Sequence, residues 1–407
     1  MNTWGNVLKL SIFGESHGPA VGIVIGGLPA GTEINTELIA KEMKRRAPGG
    51  KAFASARRED DIPQVISGLA NGRTTGAPLT CLIDNKDARS EDYGGILRPG
   101  HADWTAFIKY GGYADMSGGG HFSGRLTAPL VFAGAVAKQF LAERGMRVYG
   151  RVQGVGSATD GMDFTGLRPS PACGEKAGSA SGGEDKDASA ASVGGGKDAS
   201  DAPIGEEEAE ALLQTISEKD FPASDGAAPL FLEEISSAKR ARDSVGGVVE
   251  TVAFGVTAGL GEPFFDSAES RLAALLFSVP AVKGVAFGRG FGLARLRGSE
   301  VNGSLRLESD RIRGTRNGDG GVLGGITNGL PLIVRVAIKP TPSIGQEQLS
   351  VDPVAMKEVK FRVKGRHDPC IVPRATPVIE SCVALGLLDL MLEANARGSG
   401  IGHRGYK

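Results

Sequence analysis

Short β-branched runs and helical stripes take turns along this chain. Residues 7–13, 21–25, 248–256, 282–287 and 332–338 are rich in Val, Ile and Phe, the signature of strands. Between them, Asn35 or Thr36 is placed to cap a helix that carries Leu38, Ile39 and Met43 on one face. Pro48-Gly49 stops it just after Lys44, Arg45 and Arg46. The stretch 127–144, small and apolar with Leu130, Val131, Gly134, Ala137 and Leu141, predicts a tightly packed helix ended by Gly145. Asp266 with Glu269 forms a capping-box pattern ahead of Leu272, Leu275 and Leu276, and Thr376-Pro377 is expected to open a last long helix towards Ala396 and Gly398. The chain is therefore mixed α and β. The hairpin-like pair across 10–25 favours antiparallel sheets, and no GxGxxG joins a strand to a helix, which weighs against a doubly wound dinucleotide-binding domain.

That patterning breaks down once. From position 168 to 205 the sequence is dominated by Gly, Ala, Ser, Asp and Lys, a composition that cannot offset the entropy of ordering. It predicts a disordered insertion without chemistry inside a single unit spanning 1–407, dividing the chain without dividing the fold.

With 407 residues, 41% of them hydrophobic, the chain can bury a large core, and a formal net charge of -1 provides no overall field for nucleic acid or an acidic membrane. Any anion site must be local. Apolar stretches such as 385–392 fall short of the ~20 residues of a bilayer span, and the first ten residues do not read as a secretory signal, so a cytoplasmic protein is expected. Cys81, Cys173, Cys370 and Cys382 are widely spaced without a CxxC pair and read as free thiols rather than disulfides or metal ligands; no metal site is expected.

Histidine carries the chemical information. Of the five, four lie in loops punctuated by Gly or Pro, and His403 lies near the end of the chain. In Gly14-Glu15-Ser16-His17-Gly18 the glycines let a ligand approach the backbone, and His17 can exchange a proton near neutral pH. Arg98-Pro99-Gly100-His101-Ala102-Asp103 is followed by Ser117-Gly118-Gly119-Gly120-His121-Phe122-Ser123-Gly124-Arg125. A glycine run entering a helix exposes N–H groups to a phosphate, with Ser123 and Arg125 adding donors. Lys339-Pro340-Thr341-Pro342-Ser343 and Gly365-Arg366-His367-Asp368-Pro369-Cys370 supply cations, hydroxyls and one carboxylate, Asp368, placed to act as a base. Lys51 and the run Arg57-Arg58-Glu59-Asp60 add further charge. The residues alone point to one or more phosphorylated, anionic ligands worked on by histidines and an aspartate. Nothing in their spacing identifies a flavin.

Taken together and in this order, the segments Gly14-Glu15-Ser16-His17-Gly18, Thr74-Thr75-Gly76, Arg98-Pro99-Gly100-His101-Ala102-Asp103, Lys339-Pro340-Thr341 and Gly365-Arg366-His367-Asp368-Pro369-Cys370 resemble the chorismate synthase family. The resemblance covers nearly the whole chain outside the Gly/Ser/Asp-rich stretch. It implies an α+β fold, a β-α-β sandwich with a helical core between two antiparallel sheets, assembled as a homotetramer. It also implies a lyase that uses reduced FMN in an anti-1,4-elimination of phosphate from 5-enolpyruvylshikimate 3-phosphate, without net redox change. By resemblance, His17 protonates the departing phosphate with Ser16 in its proton relay, His101 serves the N1/O2 side of the flavin, and Asp368 assists removal of the C6 proton. FMN is held by Ser123, Gly124 and Arg125, by Pro280 and Ala281, by Gly324, by Lys339, Pro340, Thr341, Pro342 and Ser343, and by Arg366. Arg46 matches a family position that contacts the anionic substrate or NADP, Lys51 and Arg57 face the substrate, and NADPH, which some members use to reduce the flavin, is a candidate reductant.

The sequence departs from the family at His121-Phe122-Ser123-Gly124-Arg125, where many members carry one more cation and one more hydroxyl. Two other readings stay open on the residues alone. A non-catalytic binding protein for a phosphorylated metabolite has no use for three proton-transfer groups, and a flavin reductase lacks a nicotinamide-binding domain here.

Overall fold

The computed structural model describes residues 2–48, 60–86, 95–167, 205–308, 311–362 and 368–398. The segments 49–59, 168–204 and 363–367 lie outside the described residues, and with them Lys51, Arg57, Cys173, Arg366 and the body of the low-complexity stretch.

Two antiparallel sheets form the outer layers. The first is built from β1 (Thr3–Trp4), β2 (Lys9–Gly14), β3 (Ala20–Gly26), β4 (Gln64–Ser67) and β5 (Leu79–Asp84), in the order β1-β2-β3-β5-β4. Its central hairpin pairs Leu10 with Ile25, as the alternation across 10–25 predicts. The second contains β6 (Arg147–Val155), β7 (Ala158–Thr159), β8 (Gly247–Phe254), β9 (Val282–Phe287) and β10 (Leu332–Ile338), in the order β9-β10-β8-β6-β7. The helices are α1 (Thr36–Arg46), α2 (Asp103–Tyr110), α3 (Thr127–Ala142), α4 (Glu206–Ser217), α5 (Ala228–Arg240), α6 (Ala268–Phe277) and α7 (Val372–Ala396).

Helices α3 and α7 pack on each other between the sheets, α3 against β3 and β5, α7 against β6 and β8. This is the expected sandwich. Because α3 has a sheet on one side and a helix on the other, it is buried nearly all round, and its small residues set the spacing. A Cβ on Gly134 would lie 2.1 Å from that of Ser381, so the two helices cross where neither could carry a larger side chain.

Strand β8 is also buried on both faces. Val249 and Ala253 join the main core, whereas Val252 and Phe254 meet Phe164, Leu167, Ala209, Leu213 and Ile333 in a second cluster on the far side. Glu250 lies in that outer layer directly between its cross-strand partners Arg151 and Arg335, accepting from them at 2.9 and 2.7 Å. The two ends of the chain flanking 168–204 are thus anchored to one sheet face.

Several boundaries differ from the sequence pattern. Asn35 caps α1 by accepting from the N–H groups of Glu37 and Leu38, but Leu38 points to solvent and Arg46 is buried in its place with Ile39 and Met43. The cap of α6 is Ser267, which accepts from Ser270 N–H, not Asp266. The last helix begins at Val372, with Pro373 in the first turn, where a missing N–H costs nothing, and Pro377 inside it. At 25 residues α7 is long and apolar enough to cross a membrane by length and composition, yet 94% of its most apolar window is buried in the fold. The shorter stretch 385–392 was only its centre.

Candidate active site

Strand β2 ends at Gly14, whose positive φ of 95° leads the chain into the loop carrying Ser16 and His17. The glycine run folds onto this loop. Ser16 N–H donates to the Gly120 carbonyl at 3.1 Å, and Nδ1 of His121 meets the Gly14 carbonyl at 2.8 Å. Gly118, Gly119 and Gly120 all adopt positive φ, and a Cβ on Gly118 would stand 2.4 Å from Nε2 of His17. The run therefore does not open directly into a helix as the sequence suggests. It closes over His17, turns through Ser123, whose Oγ accepts from Arg125 N–H, and enters α3 only at Thr127.

The loop concentrates acid and base. Burial and the neighbouring Asp115 carboxylate push the Glu15 carboxyl up from its ordinary range. Burial opposes ionisation of Asp115 itself, but hydrogen bonds from Ser117 and Glu15 and the nearby His17 outweigh it and hold Asp115 low. Ser16 is 1% exposed, and its Oγ has no hydrogen-bond partner among the described residues.

A second cluster forms around His101. Arg98 grips Asp103, the first residue of α2, through two parallel 2.8 Å bonds, and both side chains are buried. Between them the loop presents His101, with Nδ1 3.2 Å from the Pro99 carbonyl and Nε2 2.8 Å from Oγ of Ser343. A carbonyl only accepts, so Nδ1 carries the proton and Nε2 accepts from the Ser343 hydroxyl. Burial, then the Arg98 charge, lowers the His101 pKa below the usual 6.5, which keeps this ring neutral at neutral pH. Lys339 Nζ donates to the Gly100 carbonyl at 2.7 Å, and Lys339 N–H to that of Ala281 at 2.9 Å. Pro280 and Ala281, at the C-terminal end of α6, thus stand beside the 339–343 loop, and Ala281 holds a strained positive φ of 73°. Ser244 Oγ ties down the Thr341 carbonyl at 2.6 Å while Val245 N–H takes that of Pro369 at 2.9 Å, which brings the Asp368 segment to the same edge. The two clusters meet at Arg98, whose Nη2 would lie 3.5 Å from a Cβ on Gly119.

Arg46 and Arg125 are joined rather than exposed. Asp61, 3% exposed and at φ 47°, accepts from Nη1 of Arg46 at 2.7 Å through one oxygen and from Nη1 of Arg125 through the other. Arg46 also reaches the Gly124 carbonyl at 2.8 Å, and Arg125 the Asn85 side chain at 2.8 Å and the Asp84 carbonyl at 3.0 Å. Arg374 bridges onward, from the Arg46 carbonyl at 3.2 Å to Asp368 at 2.6 Å. Asp61, Asn85, Asp115 and Arg374 carry no motif of their own, and sequence reasoning passed over them. Gly324 stands apart, in a tight hairpin whose Gly325 carbonyl accepts from Ala268 N–H, at the opposite end of α6 from Pro280 and Ala281. A ten-residue helix separates them by about 15 Å.

Over nearly its whole length the chain is similar to proteins of one family. The family model for chorismate synthase matches residues 8–392. The chain is 42% identical to the chorismate synthase of Thermococcus kodakarensis, over 96% of this chain and 98% of that one. It is 41% identical to that of Dehalococcoides mccartyi, over 97% of each. A crystal structure of chorismate synthase superposes with a TM-score of 0.69 at 26% identity, covering 96% of this chain and 93% of the other. The chain belongs to the chorismate synthase family.

Proposed function

We propose that the protein catalyses the anti-1,4-elimination of phosphate from 5-enolpyruvylshikimate 3-phosphate to give chorismate in the shikimate pathway, as a carbon–oxygen lyase. The reaction breaks the C3–O bond, whose electron pair leaves with phosphate, and removes a proton from C6 while the double bonds shift. It needs an acid at the departing oxygen and a base at the far carbon. His17 suits the first role, because an imidazole can donate a proton and the glycine run closes over this one, with the Asp115 carboxylate nearby. Asp368 suits the second: it is an acceptor-only carboxylate steadied by Arg374. The observation that carries the reading is the approach of Arg98 to the glycine run, close enough that a side chain on Gly119 would meet it, which brings the His17 loop next to the loop of His101 and Ser343.

Reduced FMN, when bound, supplies a transient electron to the substrate and is not consumed. The residues fit such a group. Oγ1 of Thr341 is buried without a hydrogen-bond partner among the described residues, next to the His101–Ser343 pair and the exposed end of α6, which suits a polar heteroaromatic ligand. Ser123, Lys339, Pro340, Pro342 and Ala281 surround or approach that edge, with Arg366 completing the set by resemblance. NADPH is the candidate reductant.

A homotetramer is the assembly we propose. Phe264, Phe265 and Phe291 are 85%, 91% and 91% exposed, and α2 turns Trp104, Ile108 and Tyr110 outward, an apolar burden that a partner subunit would cover. The buried thiols of Cys81, Cys370 and Cys382, each pushed up to about 12 by burial, suit the reducing cytoplasm. The deciding experiment is phosphate release from the substrate with and without chemically reduced FMN. Release only with reduced flavin supports the assignment; tight binding with no release would favour a binding protein instead.

A further inference from the structure

We infer that Asn85 is a positioning residue for His17, acting from the edge of the buried Asp61 ion cluster. The side chain of Asn85 donates through Nδ2 to the carbonyls of Glu15 at 2.9 Å and Gly18 at 2.8 Å, the two residues that bracket Ser16 and His17. Its Oδ1 accepts from Nε of Arg125 at 2.8 Å, and its own N–H donates to the Pro19 carbonyl at 3.1 Å. Both amide hydrogens and the amide oxygen are thus engaged, and this pattern fixes which end of the amide faces the loop. Arg125 cannot drift, because its guanidinium is also held by Asp61 and by the Asp84 carbonyl, and Asp61 is held in turn by Arg46.

The consequence is mechanical. Within the His17 loop Gly18 N–H donates to the Glu15 carbonyl at 3.1 Å, and the loop carries glycines at both ends. Without an external clamp such a loop samples several conformations. Asn85 clamps its two carbonyls from beneath while the Gly120 carbonyl takes Ser16 N–H from above, at 3.1 Å. The imidazole is thereby confined against Gly118. The amide of Asn85 bonds to backbone carbonyls of the loop, so its effect runs through the geometry of His17.

The inference rests on the proposed catalytic role of His17, and the test separates the two. Full-length Asn85→Asp and Asn85→Ser are compared with the unaltered chain and with His17→Ala. Aspartate is isosteric and keeps the Arg125 contact, but it sets oxygen against two carbonyls; serine merely removes the clamp. Amide hydrogen exchange of the peptide covering residues 14–20 should rise in both variants while that covering 98–103 is unchanged. kcat should fall about 10- to 100-fold with substrate KM within a few-fold, and Asn85→Asp should be the worse of the two despite its shape. Should Asn85→Asp be too unstable to purify, Asn85→Ser carries the exchange and kinetic readouts alone. Unchanged exchange at 14–20, or an aspartate variant as active as the serine one, overturns the inference. If His17→Ala retains turnover, the catalytic reading of His17 fails, and the exchange data still decide whether Asn85 positions the loop.

Discussion

The imidazole of His17 lies over Gly118, where a Cβ would stand only 2.4 Å from Nε2. Gly118 also holds φ at 60°, where an L side chain is strained. Gly118→Ala therefore meets two costs, about 1 kcal/mol of backbone strain and a steric push on the ring. The ring can swing away, so the fold should survive with Tm lowered by a few degrees, while kcat falls at least tenfold as His17 leaves its position. Thermal melts together with steady-state kinetics check this, and a variant with full turnover would show that the contact is incidental.

The three proton-transfer candidates should separate kinetically. His17→Ala, His101→Ala and Asp368→Ala are each expected to cut kcat by about 10²–10⁴-fold while substrate and reduced FMN still bind, since acid–base groups act mainly in the transition state. Deuterium at C6 should slow the Asp368 variant most, because proton removal there becomes limiting. Equal isotope effects in all three would mean that the roles are misassigned.

How much of this was legible beforehand differs between fold and site. Strands 21–25 and 332–338 announce themselves because burial selects β-branched residues, and the hairpin register of Leu10 with Ile25 follows from alternation. Strand β6 does not, because Arg151, Gly150 and Gly154 interrupt its apolar pattern, and only the structure reveals that Glu250 neutralises Arg151 across the sheet. In the site, His17 and His101 stand out through the glycines and prolines around them. Asp61 and Asn85 are ordinary polar residues in sequence. Their meaning comes from partners 64 and 40 positions away, which no local pattern records. The glycine run was legible as special but for another reason: close packing on His17 and Asp115, where a Cβ on Gly120 would lie 1.8 Å from the Asp115 carbonyl oxygen.

Deleting residues 173–203 should leave flavin binding, turnover and stability nearly intact. The flanks are held independently, Phe164 and Leu167 on one side and Ala209 and Leu213 on the other packing on Val252, Phe254 and Ile333. Shortening the connection changes closure entropy by only about 1–2 kcal/mol, in the stabilising direction. Flavin titration and a thermal melt of the deletion variant provide the check, and lost flavin affinity would give the segment a role in the site.

Arg46→Ala should first be a stability variant and only then a binding one. The sequence suggests a substrate-facing cation, but the residue is 5% exposed and its side chain is bonded to Asp61, the Gly124 carbonyl and Thr127. Removing it leaves the buried Asp61 carboxylate with Arg125 as its remaining cation, a loss of about 3 kcal/mol for a broken buried pair. The pH dependence adds a signature. Burial alone would raise the Asp61 pKa, but Arg46 and Arg125 together lower it beneath the ordinary 3.8. A carboxylate depressed in the folded state contributes stability that is present above its unfolded value and lost as pH falls through the folded one. The unaltered protein should therefore lose stability progressively on acidification below about pH 4–5, and Arg46→Ala should show a shallower loss across that window, because one of the two cations that depress Asp61 is gone. Urea denaturation at pH 7 and at steps between pH 5 and 3 measures both effects. Unchanged stability at pH 7 with a raised substrate KM would place Arg46 in the substrate site and show that Arg125 alone suffices to hold Asp61.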